Sequence, residues 1–554
     1  MTRKRLSREA IAHIEIGSTS ISRPLVWGLS CFFLLVVFLV PIIQYQMDMQ
    51  TSENGFIFQK GAGNKEEGET FFTNIKRKNT LFLENIDLLE TSLEENSFLR
   101  SFFLPSLQSF YFNVLGQGNE KVVVGEAGWL FYRPGIDSLS GQPLLDKDQL
   151  QLRIEGHELW EKPVQPDPLK AIVDLHRQLD ERGIKLIVMP VPVKASIHPE
   201  KISGDSVAEP LTNRDWDSFL QKLTEKNVTV FDSRPLLYEY AQDHDAAFLK
   251  TDTHWLPGAM DLIAKNLAGR IRSDFPDLES SADFNLQHQV IEAEGDVSKM
   301  LTLPGSHLPF LQTVTIEQVV NGDNELWQPD TDSEVLLLGD SFTNIYSTEG
   351  LGWGRNGGFA EHLSYHLQQS IDLLSRNDSG AFVTREMLAL ELTRGRDRLT
   401  GKKVVIWEFA ERELTHGNWK LIDFSLGVPT ESSFFVTDAD QQIDVQAVVA
   451  AVSKSPRPGS VPYRDNILTL HLVDLTGKKY VLEGDQALVY GFGMRNNKLT
   501  ALANLRPGDQ ISITLSAWED VEGDYGSYRR SPLDDEMMEL ELPNWGTLSY
   551  DEKN

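Results

Sequence analysis

The stretch Glu334-Val-Leu-Leu-Leu-Gly-Asp-Ser341-Phe decides the fold. A continuous apolar run of this length, closed by a glycine turn, marks a strand buried in a parallel sheet, and open α/β sheets put their chemistry just beyond the carboxyl ends of such strands. Ser341 therefore stands where a nucleophile would be presented. Taken alone, the run is equally a strand-end turn in which Ser341 caps the next helix.

Strands and helices alternate on both sides of this run. Asp167 can cap a helix that starts at Pro168, with Ile172, Leu175 and Leu179 on one face and Gly183 placed to end it. Ile184 to Pro190 reads as a buried strand, Trp216 to Thr224 as a helix, Val228 to Asp232 as a strand and Gly258 to Ile271 as a helix. After the serine strand come helical residues around Glu361 to Leu374 and the strand Lys403-Val-Val-Ile-Trp-Glu408. This order predicts a parallel sheet with helices on both faces from about residue 121 to 420.

A second segment, Thr251-Asp-Thr-His-Trp255, supplies what a serine nucleophile needs. Serine is weak at its own pKa and requires an imidazole to take its proton and a carboxylate to fix that imidazole in one tautomer. In an extended loop Asp252 can reach the Nδ1 proton of His254, leaving Nε2 to face Ser341. The other reading of the pair is a satisfied polar couple beneath the Trp255 ring. Metal chemistry has two further handles, Asp243-His244-Asp245 and the i,i+4 pair His362 and His366, but the remaining histidines are scattered singly and neither a metal nor a cofactor is expected.

The chain has 554 residues, enough for two domains, and a formal net charge of -29. That charge argues against nucleic acid as a partner, since phosphate binding needs clustered Lys and Arg. Leu25 to Ile43 is apolar and uncharged, close to the roughly 20 residues that cross a bilayer. Arg3, Lys4, Arg5, Arg8 and Arg23 precede it and the next basic residue is Lys60, which places the N-terminus in the cytoplasm and the rest outside, periplasmic or extracellular. A cleaved signal peptide is the alternative, without a small-residue cleavage pattern to support it. The single cysteine, Cys31, lies within the run, so no disulfide framework and no thiolate zinc site is available beyond it.

The expected organisation is a cytoplasmic tail (1–24), a transmembrane anchor (25–43), a stalk (44–120) with Leu81, Leu83, Ile86, Leu88 and Leu89 suggesting a helix, a catalytic domain (121–420) and a small β-rich domain (421–554). Ser453 to Ser460 is a turn-rich break in that last part. Ile467 to Val473, Tyr480-Val-Leu482 and Gln510 to Leu515 read as its antiparallel strands. Trp518, Tyr528 and Tyr490 there either stack on sugar rings or belong to the core.

These residues carry a family resemblance. Gly125-Glu-Ala-Gly-Trp-Leu-Phe-Tyr132, Pro190-Val-Pro-Val-Lys194, Thr251 to Trp255, Gly339-Asp-Ser-Phe342 and Trp407-Glu-Phe-Ala-Glu-Arg-Glu-Leu414, in this order behind a membrane anchor, are similar to the AlgX/AlgJ group of polysaccharide (alginate) O-acetyltransferases. The resemblance covers most of residues 1 to about 420 and implies an SGNH hydrolase-like fold. It implies a triad in which Ser341 takes the acetyl group, His254 is base and then acid, and Asp252 orients it. It also implies a multipass membrane O-acyltransferase that hands acetyl groups across the membrane. The Ser341 N–H is the first oxyanion donor expected. Gly354-Arg-Asn-Gly-Gly358 offers a second in Asn356, Gly357 or Gly358, or is an ordinary turn. Lys194, Arg355 and Arg412 are the cations available to line a groove for a polyanion, unless they serve in structural ion pairs. A carbohydrate acetylesterase with the same triad, and a non-catalytic polysaccharide-binding or assembly protein, are the alternative functions.

Overall fold

The computed structural model describes residues 22–51, 98–155, 165–204 and, apart from short breaks, 207–548. The leucine-rich stalk expected at 81–89 lies outside the described residues, as do Tyr480 and Val481. The chain divides into two units, Met1–Leu107 and Gln108–Asn554.

The first unit holds helix α1 (Arg23–Thr51). Its window Arg23–Val40 has a mean hydropathy of 2.1 and no residue buried, so by length and composition the helix can cross a membrane.

In the second unit a short hairpin, β1 (Val122–Val124) with β2 (Leu130–Tyr132), leads into a five-stranded parallel sheet. Its strands are β3 (Lys185–Val191), β4 (Thr229–Val230), β7 (Val335–Gly339), β8 (Asp372–Ser375) and β9 (Val404–Ala410), in the spatial order β4-β3-β9-β7-β8. The antiparallel ribbon of β5 (Asn285–Glu294) and β6 (Leu311–Val320) is inserted between β4 and β7.

Because side chains alternate along a strand, consecutive residues feed opposite faces. Ile187, Met189, Leu337 and Ile406 pack with Ile263, Leu267, Trp255 and Phe359 on one face. Leu186, Val188, Leu336, Leu338, Val405 and Trp407 pack with Ile172, Leu175, Leu179 and Phe219 on the other. Both faces are covered, which is why β7 is apolar at every position.

The helices that matter to the site are α2 (Pro168–Asp180), α3 (Pro257–Asp274), α4 (Ser341–Asn344) and α5 (Phe359–Leu367). The Asp167 side chain accepts from the Leu169 N–H, the expected cap. The helix expected to run to Leu374 stops at Leu367. Gln368 takes a left-handed conformation (φ 47°), and Asp372 to Ser375 turn back as β8, paired in parallel with Leu336 to Gly339.

The chain runs from β3 outward to β4 and from β7 outward to β8, with β9 between β3 and β7. Loops leaving β3 and β7 therefore part, and a crevice opens at their carboxyl ends, as open sheets of this kind require.

The C-terminal part is a closed barrel of five main strands, β10 (Gln442–Val452), β11 (Asn466–Gly477), β12 (Gln486–Arg495), β14 (Gln510–Ala517) and β16 (Pro543–Leu548), with the short strands β13 (Lys498–Leu499) and β15 (Arg530–Ser531) at its margin. Closure follows from β12 pairing with both β11 and β16 while β14 pairs with both β10 and β16. Tyr490 is buried with Arg530 over its ring at 4.3 Å. Trp518 packs edge-on against Tyr490, and Tyr528 against Phe492. All three aromatics thus belong to one cluster on the barrel wall.

Candidate active site

At the carboxyl end of β7 the backbone turns at Gly339, where a Cβ would meet the Thr343 hydroxyl at 2.3 Å. Only glycine admits so tight a turn. Asp340 caps α4 by accepting from the Phe342 N–H (2.8 Å) and anchors the turn to β9 by accepting from the Ala410 N–H (2.8 Å). Asp340 is thus the cap, and the Ser341 hydroxyl points elsewhere. As the first helical residue, Ser341 has an N–H without an intrahelical acceptor.

His254 reaches Ser341 from the loop before α3. Its Nε2 lies 2.8 Å from the Ser341 Oγ, and its Nδ1 lies 2.6 Å from the Asp252 Oδ1. A carboxylate only accepts, so Nδ1 carries the proton, Nε2 is bare, and the serine hydroxyl donates to it. The Phe342 ring lies 4.8 Å from the imidazole centroid. All three polar side chains are buried.

Asp252 is held on every side. Oδ1 also accepts from the His254 backbone N–H (3.0 Å), and Oδ2 accepts from the Asp296 N–H (2.9 Å) and the Trp353 indole N–H (2.9 Å). Burial raises the pKa of Asp252, but the His254 charge and these hydrogen bonds outweigh it and hold the carboxyl well below its usual range. For His254 burial works against the charged form, while the Asp252 carboxylate wins and raises its pKa above 6.5.

Asp296 and Trp353 lie outside the motifs read from sequence, and Thr253 and Glu408 lie within them without an expected role. Asp296 accepts from the Thr253 hydroxyl (2.7 Å) and N–H (2.8 Å), and burial together with the Asp252 charge pushes its pKa up. It can approach because Gly295 has no side chain; a Cβ there would meet the Thr251 carbonyl oxygen at 2.1 Å. Glu408 lies under the serine turn, accepting from the Asp340 N–H (2.9 Å) and the Thr343 hydroxyl (2.8 Å). Burial and the Asp340 charge push it well above the carboxylate range.

Of the three cations, Lys194 and Arg412 line one small pocket and Arg355 does not. The Lys194 ammonium is buried and donates to the carbonyls of Leu249 (3.0 Å), Lys250 (3.2 Å) and Asp252 (2.6 Å). Its donors hold the loop that carries Asp252, and the residue also lines the small pocket beside Thr253 and Phe342. Burial lowers its pKa to about 7 against the attraction of Asp252 and Asp296. Arg355 forms an exposed pair with Glu349 at 3.8 Å, the ordinary surface fate. Arg412 stays beside the site, over the Tyr132 ring at 5.6 Å, and lines a small pocket with Val193, Thr253 and Phe342.

The loop before α5 corrects the expectation of a second oxyanion donor there. The Asn356 amide donates to the Trp327 carbonyl (2.8 Å), its N–H to Ser347, and the Gly357 N–H to Tyr346 (3.0 Å). These donors are committed to packing the loop on its neighbours. Gly358 is the residue before the first turn of α5. Of the metal handles, His244 stacks on Tyr240 at 4.1 Å and Asp245 faces Lys201, so Asp243-His244-Asp245 does not converge.

The fold is an α/β domain whose parallel sheet carries a carboxylate, an imidazole and a hydroxyl hydrogen-bonded in series at its carboxyl edge. Comparison with known proteins gives the family. The model for the SGNH hydrolase-like domain of acetyltransferase AlgX matches residues 122–411, and the chain belongs to that family. The probable alginate O-acetylase AlgJ of Pseudomonas aeruginosa is 26% identical over 322 residues, 55% of this chain and 73% of that protein. Its counterpart in Pseudomonas syringae pv. tomato is 26% identical over 319 residues, 55% and 72% of the two chains. Among solved structures, the O-acetyltransferase domain of Pseudomonas putida AlgJ aligns with a TM-score of 0.40 at 22% identity, over 54% of this chain and 93% of that one. Pseudomonas aeruginosa AlgX aligns at 0.36 and 16%, over 72% and 91%.

Proposed function

We propose that this chain is a membrane-anchored O-acetyltransferase that carries acetyl groups on Ser341 and delivers them to hydroxyls of an exported polysaccharide. The observation that carries the reading is the series Asp252–His254–Ser341, with contacts of 2.6 and 2.8 Å. His254 takes the Ser341 proton as Oγ attacks the acetyl carbonyl of the donor, and returns it to the leaving group. A sugar hydroxyl, deprotonated by the same Nε2, then attacks the acetyl-Ser341 ester and regenerates the serine. Asp252 stabilises the imidazolium that forms in each half-reaction without taking the proton itself. The Ser341 N–H stabilises the developing oxyanion.

Acetyl-CoA is cytoplasmic, so a sheet domain lying outside the membrane needs a carrier of acetyl groups, and a multipass membrane O-acyltransferase is the partner this topology calls for. Helix α1 keeps Ser341 near it, with the N-terminus inside. The chain's relatives named alginate O-acetylase support a polysaccharide substrate. Arg412, beside Thr253 and Phe342, is the cation placed to meet an anionic sugar. The 121–420 region would carry the chemistry, and the barrel beyond it would engage the polymer.

The acetyl content of polysaccharide secreted by cells carrying a Ser341→Ala chain tests the proposal. Acetylation at the wild-type level would defeat it. Purified chain that hydrolyses an acetyl donor at full rate but never acetylates an added oligosaccharide would point to the esterase instead.

A further inference from the structure

The pair His362 and His366 meets a third side chain away from the catalytic relay. His362 Nδ1 lies 2.7 Å and His366 Nε2 2.6 Å from the same oxygen, Oδ1 of Asp261. Both histidines stand one turn apart on α5, and Asp261 stands on the first turns of α3. All three donor atoms lie within 4.8 Å of one another, the spread expected around a single ion.

The hydrogen bonding of His362 points to what belongs between them. Its Nε2 lies 3.0 Å from the Glu317 carbonyl oxygen, which can only accept. That nitrogen therefore donates a proton to Glu317, which leaves Nδ1 as the ring atom aimed at the Asp261 carboxylate. The Nδ1–Oδ1 contact needs positive charge, which a metal ion held by both atoms supplies as well as a second ring proton does. Metal-ligating histidines show this arrangement, with the free N–H donated to a backbone carbonyl and the other nitrogen on the metal. The site is also reachable, since the side chains are 2% (His362), 15% (His366) and 30% (Asp261) exposed.

We propose that Asp261, His362 and His366 form a binding site for a divalent transition-metal ion, with water completing its coordination. Two imidazoles and one carboxylate suit zinc, and two nitrogen ligands with one oxygen also suit iron or cobalt. The ion clips α3 to α5. Helix α3 begins two residues after Trp255, and α5 begins directly after Gly358, so the clip braces the segment that carries His254 against the loop that packs under Trp327. Its role is structural; the nearest catalytic group is reached through the helix, and no step of acyl transfer passes through the ion.

The full-length chain, purified in detergent and stripped with a chelator, is titrated with zinc in competition with a chromogenic chelator, and separately with cobalt. The site predicts one zinc per chain and visible cobalt absorption. His366→Gln and Asp261→Asn should each weaken zinc more than about 100-fold, beyond the loss from removing even an outer-shell partner. Zinc uptake that these substitutions leave unchanged would overturn the site. Thermal unfolding of the unaltered chain needs no variant: zinc should raise the Tm and magnesium should not. A Tm indifferent to zinc would leave an imidazolium–carboxylate pair as the only account of the cluster and end the proposal.

Discussion

Replacing Asp252 by Asn tests the relay at its most constrained point. Four N–H groups converge on the two carboxylate oxygens, two on each, so an amide must turn its NH2 against donors in either orientation. Facing the NH2 toward Asp296 and Trp353 opposes two fixed donors. Facing it toward His254 opposes only one, the backbone N–H, because the imidazole can move its proton from Nδ1 to Nε2 and accept. The second orientation therefore wins, and it puts a proton on the nitrogen that must be bare to receive one from Ser341. Loss of the correct tautomer in a serine triad lowers turnover about 10⁴-fold, equivalent to about 5.4 kcal/mol. One buried donor left unsatisfied, with the charge assistance of the others gone, costs about 2–5 kcal/mol of stability. The assay is acetyl transfer from an activated acetyl ester to oligosaccharide by the full chain, with Ser341→Ala as the floor and thermal unfolding in parallel. A folded Asp252→Asn chain that keeps activity within about tenfold of the unaltered one would refute the argument from tautomers.

Three further outcomes follow from the same geometry. The kcat/KM profile should rise with pH through a value above 6.5, since His254 must be neutral to act and Asp252 raises its pKa; an acid limb at or below 6.5 would contradict this. The linked stability has the matching signs. The His254 contribution is complete below 6.5 and is lost as pH rises through its raised folded value. The Asp252 contribution is complete above 3.8 and is lost as pH falls through its depressed one. Gly295→Ala should lower both Tm and turnover by driving a methyl into the Thr251–Asp252 peptide, whereas Gly269→Ala, exposed on α3 with nothing within 4 Å, should stabilise by about 0.5–1 kcal/mol; equal Tm values for the two would show the Gly295 contact to be slack. Lys194→Met takes the ammonium from the buried carbonyls of Leu249 and Asp252, while that of Lys250 keeps the Leu130 N–H, and should cost about 2 kcal/mol or more; an unchanged Tm would mean that the ammonium does not hold the loop.

The features readable in the chain are those whose physics is local. β7 is apolar at each position because neighbours cover both of its faces, and Asp167 before Pro168 announces a helix start by its own chemistry. The side chains that fix Asp252 are a different case. Asp296 is 44 residues away in sequence and Trp353 is 101, and each acts through one N–H at the end of an element with no pattern of its own. Lys194 and Asn356 were visible as polar residues at suggestive places, but their donors turn to carbonyls of Leu249 and Trp327, a choice made by tertiary approach alone. Gln368-Gln-Ser-Ile-Asp-Leu-Leu374 carries no local signal that ends the helix, and pairing with the edge of β7 draws Asp372 to Ser375 into the sheet.

The most direct measurement is the mass of the chain caught by rapid acid quench after mixing with an activated acetyl ester. The account predicts one added acetyl group, on the peptide that contains Ser341, and none on the Ser341→Ala chain. Turnover at an undiminished rate with that peptide unmodified, or an acetyl group carried on another residue, would contradict it.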